Sequence, residues 1–225
     1  MIFNPTLPIV SPPVVNPIFE TFIAENIITA EALILFLKIV LVTAISLVVG
    51  LFLNKEMDKK GFVTNKTVTM ILSVVMAIGL SLRYGLSVYT FQGLFLFYLL
   101  LYASMSDLTN RQVANHVSVS ILALSLISVP TVGFVSMLIG GLVVGLIQLF
   151  VCIGNDGRHG GADMKITAAT AFLLGWSRGM VGLILGLLIG IVFMLIYNKI
   201  KNRSNKEGFP LLPFVSIGMM AAFFI

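Results

Sequence analysis

The chain has 225 residues, 58% of them hydrophobic and only 10% charged, with a formal net charge of +5 and a mean hydropathy of +1.07. A water-soluble fold of this length cannot hide so much apolar side chain, so the composition predicts an all-α polytopic membrane protein. Its one cysteine, Cys152, excludes a disulfide framework or a cysteine zinc site, and the dispersed basic residues exclude a nucleic-acid surface.

Residues 1–30 carry Pro5, Pro8, Pro12, Pro13 and Pro17, with Glu20 and Glu25 and no Lys or Arg. A secretory leader begins with a basic region ahead of an apolar core. This segment has neither and reads as an extracytoplasmic tail, with residues 31–225 forming one membrane-embedded domain. Apolar stretches follow at 32–53, 64–82, 87–106, 113–129, 134–153, 164–178, 180–198 and 210–225. Crossing the hydrocarbon core takes about 20 helical residues, which predicts about eight transmembrane helices, six at the least. The sixth stretch is the weakest, being short and holding Thr167 and Thr170. Pro130, Thr131, Val132 and Gly133 supply the turn between the fourth and fifth. Gly141 and Gly145 form one GxxxG, and Gly182, Gly186 and Gly190 form two in register. Bare glycine faces let helix backbones approach, so these predict helix packing within the chain.

The basic residues fall in alternate loops. Lys55, Lys59, Lys60, Lys66, Arg111, Arg158, Lys165, Lys199, Lys201, Arg203 and Lys206 lie in or beside the loops at 54–63, 107–112, 154–163 and 199–209. Only Arg83 and Arg178 lie on the other side, while Lys38 is within the first stretch. The positive-inside rule makes the first set of loops cytoplasmic and both termini extracytoplasmic.

Asp107, in SDLTNRQVAN, and Asp163, in HGGADMKI, each lie at the end of an apolar stretch. One hairpin of two crossings separates them, so both face the same compartment, the cytoplasm. Two nearby carboxyls cannot easily both ionise. One keeps a proton and polarises a carbonyl while the other takes a proton from water, which is the demand of peptide hydrolysis by a carboxyl pair. Gly160, Gly161 and Ala162 lead into Asp163 with three tiny side chains that admit an extended substrate. Arg111 and Asn115 follow Asp107 at i+4 and i+8, Asn115 to orient a carboxylate or cap the next helix, Arg111 to hold the local fold or counter a charge. Asp156 and His159 lie near Asp163, but a single histidine among scattered carboxylates is a poor ligand set, so no metal is expected. His116 reads as an interfacial helix residue.

On these residues the chain resembles the type IV prepilin peptidases, membrane aspartyl proteases with a GxGD motif. In that family the first catalytic aspartate opens a stretch usually ending in Ile-Pro-Asn, matched here from Asp107 to Val113, Ala114 and Asn115. The second closes GxGD ahead of a hydrophobic-Lys pair, matched by Gly160, Gly161, Ala162, Asp163, Met164 and Lys165. A Pro-Phe-Gly-Pro-Phe-like element at the last span is echoed by Phe209, Pro210, Leu211, Leu212, Pro213 and Phe214. Order and spacing agree over roughly residues 85–225, with Ala114 in place of proline and Ala162 in place of glycine. Longer family members carry a cysteine zinc domain linked to methylation of the new pilin N-terminus. The loop at 54–63 is short and has no cysteine, which implies a short form that cleaves without methylating.

The resemblance implies a prokaryotic inner-membrane protease with Asp107 and Asp163 as its catalytic pair and no cofactor. Its substrate would be a prepilin or pseudopilin of a type IV pilus or protein-secretion system, with a basic leader in the cytoplasm and an apolar stem among membrane lipid. Cleavage would follow a glycine at the boundary. The competing class is a small cation-coupled transporter or channel subunit using helix-end aspartates. Such proteins place ionisable groups at the bilayer midplane, on broken helices repeated in two halves, and this chain has neither a clear repeat nor a midplane acid.

Overall fold

The computed structural model describes residues 17–62, 64–154, 161–201 and 210–225, and among these every regular element is helical. Helix α1 (Pro17–Lys59) starts inside the proline-bearing segment that the sequence reads as a tail. Its first part belongs to a unit ending at Leu37; Lys38–Ile225 form the second unit, which carries everything described below. Then come α2 (Lys66–Tyr84), α3 (Val88–Asn110), α4 (Asn115–Ser125), one 3-10 turn (Leu126–Ser128) and the short α5 (Val129–Val132). They are followed by α6 (Phe134–Gly154), α7 (Gly161–Leu174), α8 (Trp176–Lys201) and α9 (Leu212–Phe223).

Local signals explain most of the boundaries. Asn65 caps α2, its side-chain oxygen accepting from the amides of Thr67 and Val68, and Gly85 ends that helix at φ 63°. Ser87 caps α3, accepting from Thr90 N–H. The expected turn at 130–133 is the single helical turn α5, with Pro130 near its start and Gly133 at φ 81° closing it. The sixth and seventh stretches divide at Gly175, also at φ 81°, so Arg178 sits in the first turn of α8 rather than between helices.

Among the described residues, six helical stretches are long and apolar enough to cross a membrane: α1 from Thr29, α2, α3, α4 through α5, α6 and α8. At 14 residues α7 extends only about 21 Å, and α9 has 12 residues. These two short helices lie among the longer ones: α7 packs on α4, α6, α8 and α9, and α9 packs on α3 and α8. Leu96, Ile121, Ile166, Leu183 and Met219 fill the space between them and are almost fully buried. Leu51, Phe52, Val119, Phe150 and Ile200 instead point outward, the surface expected of helices solvated by lipid.

The glycine runs carry the close approaches. A Cβ on Gly186 would meet Val215 Cα at 2.6 Å, and one on Gly182 would meet Met219 Cα and Ala222 Cβ at 3.1 Å, so α8 lies backbone-to-backbone on α9. Gly141 and Gly145 face Phe172 and Ala168 of α7, as their spacing predicts. Gly140, outside that motif, is tighter still: a Cβ there would lie 2.6 Å from Gly175 carbonyl carbon. Polar ties add to the packing. Tyr98 on α3 bonds Ser46 on α1, and Gln92 donates to Leu124 O at 3.1 Å and Ser128 Oγ at 2.7 Å.

Candidate active site

Asp107 lies in the last turn of α3. Its carbonyl accepts from Arg111 N–H at 3.0 Å, and Arg111 ends the helix in the left-handed region at φ 52°, where non-glycine residues are uncommon. The chain then turns back, held by Ser106 Oγ donating to Gln112 O at 2.6 Å, and α4 starts at Asn115. Asp163 occupies the first turn of α7. The aspartates at the ends of α3 and α7 therefore lie close enough for the charge of Asp107 to bear on Asp163.

The two carboxyls have different surroundings. Asp107 is buried, at 7% exposure. The backbone N–H of Leu212 donates to its carboxyl, so the group caps the start of α9, where the sequence offers no side-chain cap of its own. Its Oδ2 is buried and has no hydrogen-bond partner among the described residues. Asp163 is half-buried. Burial first, and then the negative charge of Asp107, push its carboxyl from an ordinary 3.8 up to about 7. A pair in this state shares one proton near neutrality.

Around the pair, Lys165 Nζ donates to Asn115 Oδ1 at 3.0 Å and ties the start of α4 to the first turn of α7. Arg111 is exposed on the α3 cap, near enough for its charge to act on Asp107. Among the described residues, nothing lies within 4 Å of where a Cβ on Gly161 would stand. Ala162 is half-buried. Gly160, Asp156 and His159 lie outside the described residues. Among the described residues no three His, Cys, Asp or Glu side chains gather in a way that could hold a metal ion.

Four residues contribute in ways the motifs do not reveal. Leu212 falls within the 209–214 element that the sequence sets apart, but it acts through its main chain, which leaves no side-chain signature. Ser104, one turn before Asp107, lies 3.1 Å from Ser216, one turn after Leu212, adding a second polar rung between α3 and α9. Thr167 follows Asp163 by one turn and is buried; a hydroxyl in a short apolar helix at i+4 from the acid was the signal available. The expected members Asp107 and Asp163 do come together, and so do Asn115 and Lys165.

Residues 94–195, which run from α3 into α8 and include both aspartates, match the type IV leader peptidase family and support the chain as a member of it. No curated protein and no solved structure matches.

Proposed function

We propose, from the match of residues 94–195 to the type IV leader peptidase family, that the chain is an aspartic endopeptidase. It removes the basic leader of type IV prepilins or prepilin-like proteins. The observation that carries this reading is the carboxyl pair itself, Asp107 from α3 and Asp163 from α7, with Asp163 held up to about 7.

The chemistry follows from that one shared proton. Asp107, as the anion at the start of α9, takes a proton from a water molecule, whose oxygen attacks the scissile carbonyl carbon. Asp163 gives its proton to the carbonyl oxygen, so a neutral gem-diol forms in place of a buried oxyanion. Collapse returns a proton from the diol to Asp163, and the proton on Asp107 passes to the departing amine. No metal is required, since the pair supplies both acid and base.

The basic clusters at 54–63, 107–112, 154–163 and 199–209 support a cytoplasmic site in the inner membrane of a prokaryote, with both termini outside. A basic leader then stays in the cytoplasm, its apolar stem enters the bilayer, and the bond between them meets the carboxyls. Asn115 and Lys165 hold α4 and α7 in register beside that bond, and Gly160, Gly161 and Ala162 leave room for the substrate backbone. The short loop at 54–63 supports cleavage without methylation.

Co-expression with candidate prepilins, scoring the loss of the leader by gel shift, tests the reading. Wild type is expected to cleave; Asp107→Asn and Asp163→Asn are each expected to express, insert and leave the leader intact. Continued cleavage by either variant refutes the paired-acid mechanism.

A further inference from the structure

One turn deeper in the bundle than the carboxyls lies a hydroxyl that the hydrolytic scheme does not use. Thr167 follows Asp163 by four residues on α7, about 6 Å along the axis and on the same helix face. Its side chain is 1% exposed, and its Oγ1 finds no partner among the described residues. Threonine in a helix commonly returns its hydroxyl to the carbonyl one turn back, as Thr170 does to Ile166 O at 2.8 Å. Thr167 does not, and the carbonyl it forgoes is that of Asp163.

Asp107 Oδ2, on the other member of the pair, is also a buried oxygen without a partner. The two atoms are complementary, because an ionised carboxylate only accepts whereas a hydroxyl has a proton to give. They do not bond each other directly; the helix register sets Thr167 one turn deeper than the pair, as it does Ser104 and Ser216, which bond each other across α3 and α9 at 3.1 Å. Buried polar groups left without a protein partner are where proteins hold water, and one molecule satisfies a donor and an acceptor at once.

We propose that Thr167 is a positioning residue for the carboxyl pair, its hydroxyl donating through a bound water to Asp107 Oδ2 and so fixing the orientation of that carboxyl. The proposal rests on the aspartic-protease reading. Other titratable groups on the surrounding elements do not compete for the role. On α3, Tyr98 bonds Ser46 and Tyr102 accepts from Lys60. Arg111 at the α3 cap, His116 on α4, Lys165 on α7 and Lys199 on α8 are exposed, Tyr197 on α8 stacks on Phe193, Arg178 stands beyond the far end of α7, α6 carries only Cys152, and α9 carries none.

The test uses full-length protein in detergent with a prepilin that the wild type cleaves. Thr167→Val keeps the shape and removes the hydroxyl; Thr167→Ser keeps the hydroxyl. Thr167→Val is expected to lower kcat about tenfold, the worth of one net hydrogen bond, with KM unchanged and the acidic limb of the pH profile moved upward. Thr167→Ser is expected to restore both. Wild-type kcat and pH profile in Thr167→Val overturn the proposal, as does a Thr167→Ser equally impaired, which reveals packing alone. Infrared titration of the buried carboxyl band, without substrate, separates this proposal from the reading beneath it. A band shifted in Thr167→Val upholds the positioning role even if no prepilin is cleaved, an outcome that sinks the protease reading alone. An unshifted band beside normal wild-type cleavage sinks the positioning role alone.

Discussion

The raised carboxyl of Asp163 ties the pairing of the aspartates to stability as well as to chemistry. The folded protein keeps a proton between about pH 4 and pH 7 that the unfolded chain has already released, so stability falls as pH rises through that window. From 3.8 to about 7 is a difference of roughly 3 units, which at 1.36 kcal/mol each sets a ceiling of about 4 kcal/mol. Screening of a half-buried group brings this to about 2 kcal/mol. Asp163→Asn has nothing to ionise and escapes the cost. Thermal unfolding in detergent is expected to give nearly equal midpoints for variant and wild type at pH 4. At pH 8 the variant should be higher by about 2 kcal/mol, or about 6 °C for a chain of this size. The loss of activity thus comes with a gain in stability that grows as pH rises from about 4 to about 7 and stays in place above it. A variant that melts with wild type at pH 8 refutes the burial of Asp163 beside Asp107.

Two further outcomes test the frame around the site. Gly186→Leu places side chain where Val215 Cα stands at 2.6 Å, a backbone atom that cannot swing aside; overpacking of this kind is expected to cost about 1–3 kcal/mol, read as a lower melting temperature. Asn115→Ala removes the acceptor for Lys165; because that bond is exposed, leader cleavage should fall by only about 2–5-fold, and an unchanged rate in the gel-shift assay excludes an orienting role.

Helix existence was legible in the sequence because lipid-facing helices advertise themselves through long apolar runs. The glycine registers at 141/145 and 182/186/190 were legible for a related reason: absent side chains mark where backbones meet. The break at Gly175 was less so, since hydropathy runs across it and only the positive φ ends α7. At the site, Asp107 and Asp163 stood out as acids at the ends of apolar stretches. The roles of Leu212, Ser104 and Ser216 depend on which helices become neighbours, and residues more than 100 positions apart leave no local pattern. Thr167 was visible as a polar flaw in a short helix, but the direction of its hydroxyl was not.

The grip on Asp107 at residue 212 is a main-chain amide, and an amide is present whatever side chain sits above it. Drift at that position therefore leaves the contact standing, and among the twenty residues proline alone would silence it. A constraint of this sort stays hidden from any comparison of side-chain letters, and its trace is a tolerance for many residues with a single exception.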